Sequence, residues 1–238
     1  YRLERYDEAL NYFSRASRDS SSPMADLAML RKGETLVALD RLDQAAGTFA
    51  SIPSSFPQTQ YVHEAELQAG RTYFLLDNMP EARRWLTHAY QSGGQPRRES
   101  LHLIAQCLMR SQSQEDLERA ATFAAGAANE VQDDPSLVAL LLLDQADALY
   151  AIPARRAEAE RLYQTLGTRF PNEGIAAQSM YKAVFSAFQR KSPDDVLTAA
   201  QLFLDTYGSH ELASDVLYLA AEGEMLRKRP DSAENYLR

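Results

Sequence analysis

The sequence predicts an all-α fold, a solenoid of stacked antiparallel helix pairs, on two observations. Alanine and leucine dominate the 238 residues, and ten glycines and ten prolines are too few for a β-rich, turn-dense protein. A small residue followed four positions later by a larger one also recurs about every 37 residues from Ala9 to Ala233. Such a period is typical of repeat proteins, whose units bury their apolar faces by stacking on one another.

The recurring positions mark one element of each repeat. The pairs are Ala9/Phe13, Ala45/Phe49, Ala82/Leu86, Ala159/Tyr163, Val196/Ala200 and Ala233/Leu237. One member between Ala82 and Ala159 is blurred, and Ala120/Ala124 fits it best. A second small residue, Gly33 or Gly70, precedes the alanine by twelve positions, and Asp147 takes its place in a later repeat. Small residues at both positions allow two helices to approach closely.

This arrangement resembles the tetratricopeptide-repeat pattern of Gly-x-x-Tyr, Ala-x-x-x-Phe and a closing proline. Gly70 with Tyr73, Ala45 with Phe49, and Pro57 carry the resemblance, which extends over essentially the whole chain. The resemblance implies a right-handed α-α superhelix whose first helices line a concave face. It also implies a protein-interaction scaffold or adaptor that binds other proteins or peptide segments there.

The pattern predicts a leading helix over 3–18 followed by six helix pairs. First helices are expected at 23–39, 60–77, 98–111, 136–151, 174–190 and 210–228. Second helices are expected at 42–53, 80–92, 115–131, 155–169, 194–206 and 230–238. We interpret 1–238 as one solenoid fragment, with a partial repeat 1–22 and repeats at 23–59, 60–97, 98–135, 136–173, 174–209 and 210–238. Both ends interrupt a repeat, so the array is expected to continue beyond at least one of them.

Local signals refine this division. Serine before proline predicts helix starts at Ser22-Pro23 and Ser192-Pro193, because a serine hydroxyl can cap a helix and proline suits its first turn. The third repeat is the least regular. The sequence Ser92-Gly-Gly-Gln-Pro96 before it predicts a joint near 92–97.

The sequence contains no recognisable catalytic, cofactor or metal motif. The four histidines, His63, His88, His102 and His210, form no His-Glu-x-x-His and do not stand beside cysteine at ligand spacing. A P-loop and a Gly-x-Ser-x-Gly elbow are also absent. We therefore expect no enzyme activity, no cofactor and no metal. The lone Cys107, among leucines and an isoleucine, is expected to be a buried structural thiol.

Charge and hydropathy narrow the classes of partner. A net charge of −8 disfavours a general nucleic-acid binder, which needs a basic face for phosphates. The longest apolar run, 137–143, is much shorter than the roughly 20 residues of a membrane helix. We expect protein or peptide partners, no nucleic acid and no transmembrane segment, and self-association stays open.

The resemblance also indicates where a partner would bind. Some tetratricopeptide domains clamp an acidic C-terminus with lysine and asparagine. The matching positions here are Leu30 and Glu34, Leu67 and Arg71, and Tyr181 and Phe185. Only Arg71 is basic, so such a clamp is not expected. The candidate partner-binding groove consists of Arg71, Phe74, Tyr181, Phe185, Phe188 and Tyr218. The alternative is that these aromatic side chains pack between neighbouring helices.

The junctions between repeats carry a finer resemblance. The segments at 55–59, 169–172 and 206–209 share an aromatic residue followed by proline or glycine and a polar residue. They resemble junctions in bacterial envelope-associated repeat proteins, of the outer-membrane assembly lipoprotein and Tol-Pal coordinator type. The resemblance implies a role in envelope assembly and favours a periplasmic or outer-membrane-associated location over a cytoplasmic one. The alternative function is a regulatory or sensory module of a larger multidomain enzyme or signalling protein.

Overall fold

The computed structural model describes residues 2–19, 22–91 and 94–237, and within these ranges every regular element is a helix. The chain divides into two compact units, Tyr1–Ser111 and Gln112–Arg238. The first unit contains α1 (Arg2–Ala16), α2 (Ala25–Ala38), α3 (Leu42–Ser55), α4 (Val62–Leu75), α5 (Met79–Gln91) and α6 (Gly94–Met109). The second contains α7 (Gln114–Glu130), α8 (Pro135–Ala151), α9 (Arg156–Arg169), α10 (Ala176–Gln189), α11 (Pro193–Tyr207), α12 (Ala213–Leu226) and α13 (Pro230–Leu237), with a 3-10 turn at Pro153–Arg155.

Within each unit, helices that are consecutive in the chain pack against each other. The first helices of adjacent repeats also touch, α4 with α6 and α10 with α12. The predicted all-α solenoid of stacked helix pairs is confirmed. Every helix expected from the repeat pattern is present, with ends that differ from the prediction by about four residues at most.

The repeat positions mark close contacts between the two helices of a pair. A Cβ placed on Gly33 of α2 would lie 2.4 Å from Cε1 of Phe49 on α3, and one on Gly70 would lie 2.6 Å from Cγ of Leu86. Phe49 is fully buried and shares a core cluster with Ala65 and Ala69 of the next repeat. The large residue therefore packs onto the glycine of its own pair and into the core of its neighbour.

Later repeats keep this packing with other residues. Asp147 takes the glycine position, and the hydroxyl of Tyr163 donates a hydrogen bond of 2.5 Å to its Oδ1. In the next repeat the sizes are exchanged, with Val184 at the glycine position and Ala200 at the aromatic one, both buried in one core cluster. A larger residue at the glycine position is therefore accommodated in two ways, by a hydrogen bond to the partner in one repeat and by a smaller partner in the next.

Several first helices end in a left-handed residue that the sequence patterns did not indicate. Asp40, Asp77, Lys191 and Lys228 have φ of 57°, 57°, 56° and 61°. In each case the next residue donates its N–H to a carbonyl five positions earlier, as Arg41 does to Leu36 and Ser192 to Ala187. This is the helix-ending bond of the Schellman motif, which reverses the chain between the two helices of a pair.

Two predicted details are settled differently by the structure. Ser22 does not cap α2, because the helix begins at Ala25 after an N-cap residue Met24 that makes no side-chain capping bond. Ser192 does precede α11, with Pro193 in the first turn, but its hydroxyl donates to Asp195 rather than capping. The joint predicted near 92–97 stays a prediction, since residues 92 and 93 lie outside the described residues.

Candidate partner-binding surface

Helix α10 carries Tyr181 and Phe185 four residues apart, and therefore on one side of the helix. Their rings stack, with centroids 6.2 Å apart and planes inclined by 16°. Tyr181 is half-buried and packs against the core of the second unit, whereas Phe185 is 36% exposed. The half-buried ring of Tyr181 thus lies between the core and the exposed ring of Phe185 and supports it by stacking.

Helix α12 adds Tyr218, one 37-residue period after Tyr181, with 56% of its surface exposed. Asp215, one turn before it, lies near enough to Tyr181 to add to the effect of burial in raising the pKa of that phenol. A hydrogen bond to Glu222 raises the pKa of Tyr218. We call Tyr181, Phe185 and Tyr218 the aromatic face; two carboxylates adjoin it.

Phe188 and Met225 occupy equivalent positions one period apart but differ in environment. Phe188 is half-buried and packs against the core cluster of the second unit, so its ring belongs with the packing residues. Met225, which sequence reasoning missed, is 53% exposed on α12. The sequence could have indicated Met225, because it follows Tyr218 by seven residues, about two helical turns, and Phe188 by 37 residues, one repeat period.

Hydrogen bonds among Asp147, Tyr163 and Lys182 connect α8, α9 and α10 near the aromatic face. Lys182 of α10 bonds both oxygens of Asp147, at 2.7 and 2.9 Å, while Tyr163 of α9 donates to one of them. The Lys182 ammonium also lies 5.5 Å from the centre of the Tyr163 ring. Lys182 lies three residues before Phe185 and is the only cation within α10. These contacts pair it with a carboxylate.

The other two candidate residues lie in the first unit, on α4. Arg71 forms an ion pair with Glu99 of α6 at 2.6 Å, and Phe74 is half-buried. The structure thus places the six predicted residues in two units, Arg71 and Phe74 in one and the four later residues in the other. Only the later group contains large exposed aromatic rings.

The net charge of the chain is concentrated in the second unit. Residues 1–111 contain 13 basic and 13 acidic residues, whereas residues 112–238 contain 12 basic and 20 acidic ones. The difference of −8 in the second unit equals the net charge of the whole chain. The aromatic face therefore lies on the unit that carries the negative net charge.

Two buried glutamates that pair with other side chains were also missed by the sequence reasoning. Glu160 of α9 accepts from Ser186 at 2.8 Å and from Nε and Nη2 of Arg190, both at 2.7 Å. Glu66 of α4 lies within 3.0 Å of His63 Nδ1 and 3.6 Å of His88 Nδ1. The repeat period gave no signal for them, because Arg190 and His88 approach them from other helices; only His63 lies on the same helix as its partner, Glu66.

The remaining groups that sequence analysis singled out are the possible metal ligands and the single thiol. In the described ranges, no three histidine, cysteine or acidic side chains converge as a metal site would require. Cys107 is buried, and desolvation raises the pKa of its thiol to about 12. None of the helices in the described part of the chain combines the length and apolarity needed to cross a membrane.

Comparison with known proteins gives a structural likeness alone. No protein-family model matches the chain, and no curated protein matches it by sequence. A tetratricopeptide repeat protein from Parabacteroides merdae is similar, with a TM-score of 0.62 and 12% identity over 97% of this chain and 84% of that one.

Two further crystal structures are similar. YrrB, described as a TPR protein with an unusual peptide-binding site, has a TM-score of 0.57 and 15% identity over 84% of this chain and 95% of that one. A Rap protein complexed with competence and sporulation factor has a TM-score of 0.54 and 14% identity over 91% and 74%. The chain therefore has the fold of the tetratricopeptide-repeat proteins.

Proposed function

We propose that this chain is a protein-interaction scaffold that binds a partner segment on the aromatic face of its second unit. The observation that carries the proposal is the exposure of Phe185 and Tyr218 on two helices that pack against each other. Large exposed aromatic rings are common binding anchors, since they bury much apolar area and lose little conformational entropy. Half-buried Tyr181 supplies a rigid base, so Phe185 needs little reordering when a partner arrives.

The charge of the second unit restricts the chemistry of the partner. Asp215 and Glu222 adjoin the aromatic face, and the cation that α10 contributes, Lys182, is engaged with Asp147. A segment that combines apolar side chains with lysine or arginine would therefore fit better than an acidic one. The sequence agrees with a basic partner, because only Arg71 is basic among the positions that would clamp an acidic C-terminus.

One of the similar structures supports a peptide-binding role by analogy, and a second supports the binding of a partner. YrrB is described as having a peptide-binding site, and the Rap protein is described in complex with a factor. These descriptions concern those proteins. Their value here is that folds of the same kind accommodate such ligands.

The proposal can be tested with peptides selected from a random library against the full chain. We expect the selected peptides to be apolar and basic, and to lose about 30-fold or more in affinity for the double variant Phe185→Ala/Tyr218→Ala, since each ring contributes about 1–3 kcal/mol of burial. Tyr12→Ala is the matched control, because Tyr12 is an aromatic residue of α1 that is 68% exposed in the other unit. Equal affinity of the selected peptides for wild type and double variant would exclude the aromatic face as the binding site.

A finer proposal places this scaffold in bacterial envelope assembly, and it rests on the repeat junctions. In the fold these junctions also have a structural role: Phe56 and Phe170 end α3 and α9, donating N–H bonds to Ile52 and Leu166 of 2.8 and 3.0 Å. The test is fractionation of the source cells with an antibody to this chain. Recovery in the periplasmic or outer-membrane fraction would support the envelope role, and recovery with cytosolic markers alone would reject it.

A further inference from the structure

A cleft of about 670 Å³ opens between α11, α12 and α13, apart from the aromatic face. Leu197, Leu202 and Tyr236 supply its apolar wall. Its polar lining consists of Asp194, Thr198, Gln201, Asp205, Glu224 and Arg227. Three carboxylates and a single cation thus face one cleft, within the unit that carries the whole net charge of the chain.

Glu224, which lines this cleft from the last turn of α12, is 7% exposed. Its Oε2 is buried and has no hydrogen-bond partner among the described residues. Its Oε1 lies 3.5 Å from Nη1 of Arg227, and Arg227 makes its closer ion pair with Asp194. A buried carboxylate oxygen without a donor is costly, so a ligand that supplies one would be favoured.

The same unit shows how this fold satisfies a buried glutamate. Glu160 is 5% exposed, close to the value for Glu224, and receives a forked pair of bonds from Nε and Nη2 of Arg190 at 2.7 Å each. A serine hydroxyl, from Ser186, completes its set of donors. Glu160 and Glu224 are therefore similarly buried acids, of which one holds a guanidinium fork and the other lacks it.

We propose that this cleft is a binding site for an arginine side chain of a partner protein, with Glu224 as the residue that receives the guanidinium. The planar fork would supply the donor that Oε2 lacks, as Arg190 does for Glu160. Leu197 and Leu202 would contact the methylene stem, and Tyr236 offers a ring against which a guanidinium stacks. Asp194 and Asp205 repel the α-carboxylate of free arginine, which favours an arginine within a peptide chain.

The site is independent of the proposed function, because it shares no residue with the aromatic face. The test uses the full chain and backbone-amide NMR, with N-acetyl-arginine amide as the probe. We expect saturable shifts at residues around Glu224, Thr198 and Gln201, with a dissociation constant on the order of 10 mM for one capped residue. The isosteric neutral N-acetyl-citrulline amide and free arginine should each bind at least about tenfold more weakly.

Glu224→Gln should abolish these shifts, and Asp205→Asn, an exposed change in the same cleft, should weaken them. Glu115→Gln is the matched control: it removes the same charge from an exposed position of the same unit, on α7, which contributes to neither the cleft nor the aromatic face. Arginine binding that survives Glu224→Gln, or is lost equally in Glu115→Gln, would overturn the proposal. Equal binding of citrulline amide, or of N-acetyl-lysine amide, would also overturn it, because neither presents a charged fork.

Discussion

Replacing Gly33 with alanine tests whether close helix approach stabilises the repeat. The new Cβ would lie 2.4 Å from Cε1 of Phe49, about 1 Å short of an ordinary carbon–carbon contact. Phe49 is completely buried, so its ring cannot move aside without displacing other core residues. Overpacking of this kind costs about 1–3 kcal/mol, and the better helix propensity of alanine returns about 1 kcal/mol.

Gly47→Ala separates these two effects. Gly47 lies in the interior of α3, is exposed, and a Cβ there would meet nothing within 4 Å. It should therefore gain the helix propensity without the clash and stabilise the protein by about 1 kcal/mol. The assay is urea denaturation followed by circular dichroism, with hydrogen exchange to show that the change in Gly33→Ala lies in α2 and α3. The free energies of unfolding of the two variants should differ by about 1–3 kcal/mol. Equal stability of the two variants would refute the close-contact explanation.

The fifth repeat suggests how a larger residue at position 33 could be accommodated by a smaller one at position 49. Val184 and Ala200 occupy there the positions of Gly33 and Phe49, with the sizes exchanged. Gly33→Val combined with Phe49→Ala should therefore be more stable than the sum of the single changes predicts, by about 1–2 kcal/mol of coupling. Additive effects would show that the pair does not share one volume.

Three further predictions concern the polar interior and the thiol. Arg190→Met should lower the free energy of unfolding by about 2 kcal/mol, because it leaves the buried carboxylate of Glu160 without its guanidinium partner. This value is smaller than for a fully buried ion pair, since Arg190 is partly exposed. Urea denaturation measures the change, and an unchanged midpoint would contradict the prediction. The pKa of Tyr163 is raised first by burial and then by the charge and hydrogen bond of Asp147. The protonated phenol therefore contributes stability that is fully present below about pH 10 and is lost as the pH rises further. Tyr163→Phe should therefore cost about 1 kcal/mol at neutral pH, and its stability deficit should shrink in urea titrations above about pH 10; a constant deficit would contradict this. Burial raises the pKa of Cys107 to about 12, so its smaller thiolate fraction, partly offset by greater nucleophilicity, should slow its reaction with a disulfide reagent by about 30-fold or more in the native protein relative to urea. Equally rapid labelling of the native protein would show that the thiol is accessible.

The helices could be predicted from the sequence because the repeat period fixes which residues meet. The twelve-residue interval between Gly33 and Ala45 carries the chain through one turn between two helices, and the structure places both in buried contacts. The left-handed residues after the first helices could have been found in the same way, since Asp40 and Asp77, and Lys191 and Lys228, are each 37 residues apart. They were missed because polar residues at such turns resemble any exposed loop.

The candidate surface was predictable only in part. Helical spacing groups Tyr181, Phe185 and Phe188, but it does not tell which ring the following repeat covers. Exposure depends on the neighbouring helix, which buries part of Tyr181 and Phe188 and leaves Phe185 accessible. Likewise, Glu158 and Glu160 stand two residues apart in one acidic segment, and the first is exposed whereas the second is buried. Their difference follows from the side of α9 on which each lies, because Glu160 points toward α10, where Ser186 and Arg190 donate to it.

The paired charges of the second unit explain why its acidic surplus is available to a partner. Lys182, Arg190 and Arg227 are each held by carboxylates from their own or a neighbouring helix, so they neutralise acids inside the unit. The excess of eight acids over bases in residues 112–238 therefore has no internal counterpart. A basic segment would meet this field before contact and would be guided to the unit from within about 10 Å at ordinary salt. Contact at the aromatic face or at Glu224 would then add the short-range specificity that a diffuse negative field does not provide.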